Sequence, residues 1–196
     1  MSLIIIFAGG TASGKTTIAK AFAKSIEASI ISHDRYYKDV ENPIGHNYDE
    51  PAALDNQLLA KNLRTLKKGL PTELPVYHFP THRRQPHTET MHPTPYIIVE
   101  GILTFSCPEI LSLGDICVYV EAPADIRLAR RIKRDAITRG RSIESVIDQY
   151  LNTVRPMHEK HIKPLKNKAS LILDGCQPIA HNMLLLNQLV KQYSTE

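Results

Sequence analysis

The chain is poor in the features that mark most specialised protein classes. It has three cysteines among 196 residues, Cys107, Cys117 and Cys176, with no CxxC pair and no metal-ligand spacing. Neither a disulfide framework nor a cysteine-based zinc site organises such a chain, and the three read as small buried apolar residues or free thiols. No apolar run approaches the ~20 residues needed to span a bilayer. The apolar stretch Leu3 to Ala8 has no basic segment before it and runs straight into Gly9-Gly10, so it reads as a strand and not as a signal peptide. A cytoplasmic protein with no membrane partner is the expectation. Charge excess is also slight: 24 basic against 20 acidic residues, net +4, too little to indicate a nucleic-acid partner. There is no internal repeat and no low-complexity tract. What is present is an ordinary globular composition, 42% hydrophobic and 22% charged, in a chain long enough for one full core and short for two.

Hydrophobic runs of strand length recur at Leu3–Ala8, Ser29–Ser32, Tyr96–Val99, Ile116–Val120 and Ser170–Leu173. They are continuous and rich in Ile and Val, the pattern of strands covered on both faces. Helical patterns fall between them at Lys15–Ile26, Asp55–Lys68, Ala124–Thr138 and Ile143–Lys160. The alternation predicts an α/β fold, a mostly parallel sheet with helices on both faces, as one domain over residues 1–196. Residues 69–95 differ. Pro71, Pro75, Pro80, Pro86, Pro93 and Pro95 surround Val76, Tyr77 and Phe79. Such proline density forbids a helix, and a small β-hairpin with loops, standing off the main sheet and available to a substrate, is predicted.

Gly9-Gly10-Thr11-Ala12-Ser13-Gly14-Lys15-Thr16 matches G-x-x-x-x-G-K-[ST] without deviation, after a strand pattern and before a helical one that begins near Thr17. Glycines let the backbone turn several N–H groups onto phosphate oxygens, and the helix N-terminus adds positive partial charge. Lys15 would reach the β- and γ-phosphates and the Thr16 hydroxyl would ligate Mg²⁺, so a nucleoside triphosphate (ATP or GTP) with Mg²⁺ is expected. Ligands of open α/β sheets sit beyond the carboxyl ends of the strands. Asp34 and Glu100 fall there, each just past a strand pattern. Phosphoryl transfer needs a carboxylate to accept the acceptor proton, which suits Asp34, and one to hold the metal or its waters, which suits Glu100.

Arg127, Arg130, Arg131 and Arg134 are spaced i, i+3, i+4, i+7, one face of a helix, with Leu128, Ala129, Ile132 and Ala136 opposite. A solvated face is the usual meaning of such a run. Four guanidinium forks with no lysine among them also suit phosphate and transition-state charge. Gly140, between Arg139 and Arg141, permits a closing lid, so residues 124–142 form a helix and Arg-rich lid. His78, His82, His87 and His92 lie among the prolines, a setting better suited to hydrogen-bonding a substrate edge beside Tyr77 than to a metal site.

Beyond the phosphate loop, the chain resembles the uridine kinase (uridine–cytidine kinase) family from Leu3 to about Leu173. Ser32-His33-Asp34-Arg35-Tyr36-Tyr37 resembles the acidic motif whose aspartate is base for the ribose 5′-hydroxyl. Asn47-Tyr48-Asp49-Glu50-Pro51 resembles the segment whose aspartate binds the ribose, which implies that role for Asp49. Pro75-Val76-Tyr77-His78-Phe79 with His82 and Arg84 resembles the pyrimidine-binding hairpin, implying that Tyr77 and His82 contact the base. Glu100-Gly101-Ile102-Leu103 resembles the metal-side motif. Between Arg130 and Lys166 the resemblance implies Arg131 at the ribose, Arg134 and Arg139 in the phosphate lid, and Arg141 and Gln149 closing on the nucleoside. It implies phosphate transfer from ATP to uridine or cytidine, small-molecule partners, and a homo-oligomer, dimer or tetramer. The sequence departs from the family pattern at His78, at Glu50 and at Asp174-Gly175-Cys176-Gln177. The alternatives are a P-loop kinase for nicotinamide riboside, pantothenate or a sugar phosphate, and a nucleotide-dependent switch.

Overall fold

A computed structural model describes residues 2–42 and 45–194. Five strands, β1 (Leu3–Ala8), β2 (Ser29–Ser32), β5 (Tyr96–Glu100), β6 (Ile116–Glu121) and β7 (Leu171–Asp174), form one sheet in the order β2-β5-β1-β6-β7. Every pairing in it is parallel. The remaining strands, β3 (Thr72–His78) and β4 (Arg83–Met91), form a separate antiparallel hairpin, the element that the prolines require. Pro75 and Pro86 fit because a two-stranded sheet consists of edges, where a missing N–H is tolerated.

The strand β1 shows why its sequence is apolar without alternation. Ile4, Ile6 and Ala8 pack on one face with Tyr36, Leu59, Leu63 and Leu66, the last three from helix α2 (Asn56–Lys67). Ile5 and Phe7 pack on the other face with Ile18, Ala19 and Phe22 of helix α1 (Lys15–Ser25). Each large aliphatic side chain fully buried in this way contributes about 1.5–3 kcal/mol. Asp55 starts α2 by accepting from the Leu58 N–H at 3.1 Å, which satisfies one of the free donors of a helix N-terminus. The short α3 (Pro108–Leu113) precedes β6.

One open reading is narrowed and one expectation needs correction. In α4 (Ala124–Arg139) the buried residues are Arg127, Arg131 and Asp135, whereas Ala129 is exposed and Leu128, Ile132 and Ala136 are only partly covered. The polar stripe faces inward because distant segments supply its partners. The second concerns residues 143–160. They are no single α-helix: α5 (Ile143–Gln149) and the short α6 (Arg155–Met157) alternate with wider π turns at Tyr150–Val154 and His158–Ile162. The final helix, α7 (Ile179–Ser194), lies beyond the segments read from sequence. It places Leu186 and Val190 in the α1-side core.

Phe22 is fully buried in that core. Phe22→Ala is expected to lower unfolding free energy by about 3–5 kcal/mol, read as a lower midpoint in urea with an unchanged slope.

Candidate active site

Parallel register sets the geometry. Glu100 ends β5 opposite Phe7 of β1 and Ser32 of β2. The loop after β1, the Asp34 turn after β2 and Glu100 therefore emerge side by side at one sheet edge. Gly14 takes a left-handed conformation (φ 99°) at the start of α1, so the first N–H groups of the helix point into the loop's concavity. Ala12 is also left-handed (φ 58°), a conformation that an alanine adopts only under constraint from its surroundings. Gly175 packs against the same loop, so close that a Cβ there would be 1.8 Å from the Ser13 carbonyl oxygen.

A cavity of about 1690 Å³ opens at this edge. Thr11, Ala12, Gly14, Lys15, Thr16 and Thr17 line one end, while Gly9, Gly10 and the fully buried Ser13 shape the loop from behind. Asp34, Asp49, Tyr77, His82, Glu100, Arg131, Arg134, Arg139, Arg141 and Gln149 line the same cavity. These residues thus meet the phosphate loop in one space, whereas His78, Arg84, His87 and His92 of the hairpin stretch do not line it. Nor does Arg127. It is buried beside the loop, its Nε donating to the Ala122 carbonyl at 3.1 Å.

The carboxylates have distinct environments. Glu100 is buried, accepts from the Thr16 hydroxyl at 2.8 Å and lies 3.9 Å from Lys15 Nζ. The oxygens of Thr16 and Glu100 are hard donors that suit Mg²⁺, which takes few protein ligands and completes its shell with phosphate and water. The Asp34 carboxyl is pushed up from 3.8 to about 6, by burial first and then by the Glu100 charge, against the opposing pull of Lys15 and Arg139. His33 beside it is buried, with Nε2 2.9 Å from Asn56 Oδ1, and burial lowers its pKa to about 4. The neutral ring is a spacer that fixes the turn. Gly101 is required above it, since a Cβ there would lie 2.5 Å from His33 Cβ.

The far wall is aromatic. Tyr48 stacks on His82 with ring centroids 4.8 Å apart, and Tyr77 contacts Tyr37 at 5.5 Å and Phe79 at 5.3 Å. Burial, then the neighbouring Tyr48, pushes the Tyr77 phenol above its usual range, so it is a neutral donor. Arg84 ties the hairpin to the sheet edge by donating to the Tyr37 and Tyr36 carbonyls at 2.9 and 3.0 Å. Between wall and loop, Arg131 donates to Thr11 Oγ1 at 3.1 Å and to Gln149 Oε1 at 2.8 Å, and Arg141 donates to the same Gln149 oxygen. Burial raises the Asp49 carboxyl and the Arg131 charge opposes the rise.

Two departures from the family pattern lie off the cavity. His78 Nδ1 is 2.8 Å from Thr81 Oγ1 on the hairpin surface, and Glu50 accepts from Asn47 Nδ2 at 3.0 Å. Tyr37, Tyr48, Phe79 and the segment Gly175–Ile179 also line the cavity and carried no assignment from sequence. For Gly175–Ile179 a signal was available, a glycine followed by Pro178 at a helix start. Among the described residues, no cluster of three or more His, Cys, Asp or Glu is placed to hold a metal.

A phosphate-loop motif that shares one cavity with an aromatic wall and a carboxylate at a strand end is the arrangement of a P-loop kinase. Comparison with known proteins agrees and goes further. The model of the Phosphoribulokinase / Uridine kinase family matches residues 4–180. Uridine kinases of Chloroflexus aurantiacus and Staphylococcus epidermidis are 45% and 44% identical, covering 93% and 87% of this chain and 92% and 86% of their own. That of Borreliella burgdorferi is 41% identical over 100% of this chain and 98% of its own. The chain belongs to the phosphoribulokinase/uridine kinase family. Solved structures share the fold: a possible uridine kinase from Bacillus stearothermophilus at TM-score 0.58 and 19% identity, covering 88% of this chain and 89% of that one, and shikimate kinase from Bacteroides thetaiotaomicron at 0.57 and 16%, covering 96% and 98%.

If Asp34 is the base, only its ionised form works. kcat/KM for the acceptor is then expected to fall about tenfold per pH unit below about 6. Because folding raises this pKa, the folded state holds the proton more tightly, and stability is lost as pH rises from 4 through 6. Asp34→Asn should flatten the acid limb of the pH–rate profile, and should melt above the wild type at pH 7 by a margin that shrinks at pH 4.

Proposed function

We propose that this protein is an ATP-dependent kinase that phosphorylates the 5′-hydroxyl of uridine or cytidine, acting as one cytoplasmic domain. The observation that carries the reading is the placement of Asp34 in one cavity with both the phosphate loop and the Tyr77–His82 wall. The pyrimidine lies against Tyr77 and His82, where a neutral phenol and an imidazole offer hydrogen bonds to the base edge. Asp49 and Arg131 hold the ribose hydroxyls, which turns an encounter into an oriented reaction. Arg141 and Gln149 close behind the nucleoside. ATP, or GTP in its place, binds at residues 9–17.

Asp34 takes the proton as the 5′-oxygen forms its bond to the γ-phosphorus. The bond from that phosphorus to the bridging oxygen breaks, and ADP leaves with the nucleoside monophosphate as co-product. Lys15, Arg134 and Arg139 neutralise charge on the transferring group. Thr16 and Glu100 would hold Mg²⁺, which when bound neutralises the β- and γ-phosphate oxygens. Self-association into a dimer or tetramer belongs to the proposal and is supported by the exposed Ile137, Ile143 and Leu151 beside the lid. No described helix is long and apolar enough to cross a membrane.

ATP consumption with Mg²⁺ across uridine, cytidine, thymidine, adenosine and nicotinamide riboside, with product masses, tests the substrate. Uridine and cytidine are expected to give their monophosphates. Reaction with only another acceptor would refute the assignment of the aromatic wall. Asp34→Asn is expected to lower kcat about 10²–10⁴-fold with ATP affinity nearly unchanged, and an equal loss of ATP affinity would refute its role as base.

A further inference from the structure

We propose that Asp135 is a positioning residue that aims the arginines of the lid at the triphosphate. This rests on the kinase reading above, and it assigns a role to a side chain that touches neither substrate. Asp135 is fully buried in the inner stripe of α4. Three guanidinium groups converge on its carboxylate, each with Nε as the nearest nitrogen. The hydrogen bond is from Arg134, while Arg139 and Arg131 stand at ion-pair distance, and Arg131 Nε and Asp135 Oδ2 have no hydrogen-bond partner among the described residues. Arg134 Nε donates to Oδ1 at 2.7 Å, Arg139 Nε lies 3.5 Å from Oδ1, and Arg131 Nε lies 3.6 Å from Oδ2.

The choice of nitrogen matters. Arg134, hydrogen-bonded at Nε, keeps its terminal fork free and its plane fixed, and Arg139 is drawn to the same oxygen by charge with its fork also free. Arg131 spends its fork on Thr11 and Gln149. The forks of Arg134 and Arg139 have no hydrogen-bond acceptor among the described residues, and both side chains line the cavity. Phosphate oxygens are bound bidentately by such forks.

Charge supports the same reading. Three cations around one anion leave an excess of two positive charges at the cavity wall. Without the carboxylate the excess would be three, and the long side chains would splay into solvent. With it, the arginines are held together but remain under-neutralised until an anion arrives. The charges of Arg134, Arg139 and Arg131, with the hydrogen bond from Arg134, hold the Asp135 carboxyl below its usual range although burial opposes this. It is therefore ionised throughout the working pH range.

The backbone of the same residue fixes the lid. The Asp135 carbonyl accepts from the N–H groups of Gly140 and Arg141, where Gly140 is left-handed at φ 60°. This closed turn places Arg139 and Arg141 on the cavity side. Side chain and main chain of one residue thus set both the direction of the forks and the start of the lid.

Asp135→Asn keeps shape and removes the charge. It is expected to lower kcat at least tenfold and to weaken a β,γ-non-hydrolysable ATP analogue several-fold, with the acceptor KM within about threefold of wild type. In an Arg134→Ala/Arg139→Ala background the same change should cost less than about twofold in kcat, since the groups it acts through are gone. An undiminished tenfold loss in that background would overturn the proposal and make Asp135 a purely structural residue, as would unchanged kcat and analogue affinity in the single variant. Should Asp135→Asn not fold, Asp135→Glu, which keeps the charge but moves the forks by one methylene, carries the same cycle: a kcat loss that vanishes in the double-alanine background supports the proposal, and an unchanged kcat overturns it. If the wild type phosphorylates no nucleoside, the acceptor assignment fails, while the analogue affinities of wild type and Asp135→Asn still decide the role of Asp135.

Discussion

The register of β5 between β1 and β2 is the constraint on which the rest depends. With Glu100 opposite Phe7 and Ser32, the phosphate loop, the Glu100 carboxylate and the Asp34 turn must share one edge of the sheet. A slip of one residue would turn Glu100 to the other face and separate it from Thr16. The apolar packing of Ile4, Ile6 and Ala8 on one face of β1 and of Ile5 and Phe7 on the other holds this central strand between its two helical layers. The core therefore sets the chemistry at its edge.

That edge concentrates charge in a small space. Glu100 and Asp34 sit near Lys15 and Arg139, and the shifted Asp34 carboxyl records the balance. A carboxyl group with a pKa near 6 is ionised at neutral pH yet still accepts a proton readily, which is what the role of base proposed for Asp34 requires. The arginines across the cavity are the counterpart. Around Asp135 three arginines meet one carboxylate, and in the proposed reaction a triphosphate supplies the further anion.

The sequence was informative wherever chemistry is local. The phosphate loop is contiguous, the hairpin is marked by its prolines, and Asp34 and Glu100 follow directly from strand ends. It was least informative where partners come from far along the chain. The inward turn of α4 contradicts simple patterning because Arg131 finds Thr11, 120 residues away, and Gln149. Tyr48 joins the aromatic wall through its ring contacts with His82 and Tyr37, and Gly175 packs against the phosphate loop across most of the chain's length. Tyr150–Val154 and His158–Ile162 leave the α-helical repeat for π turns, a change of hydrogen bonding that periodicity does not reveal. The family resemblance supplied several of these residues, because it encodes three-dimensional proximity that spacing alone does not.

The central claim is that one cavity brings a pyrimidine ribonucleoside's 5′-hydroxyl to Asp34 and the γ-phosphate. 5′-Deoxyuridine tests it most directly, since it keeps the base and the 2′- and 3′-hydroxyls and lacks only the attacking oxygen. With ATP and Mg²⁺ it should inhibit phosphorylation of uridine competitively and gain no phosphate. Phosphate transfer to 5′-deoxyuridine, or a failure to compete with uridine, would contradict the account.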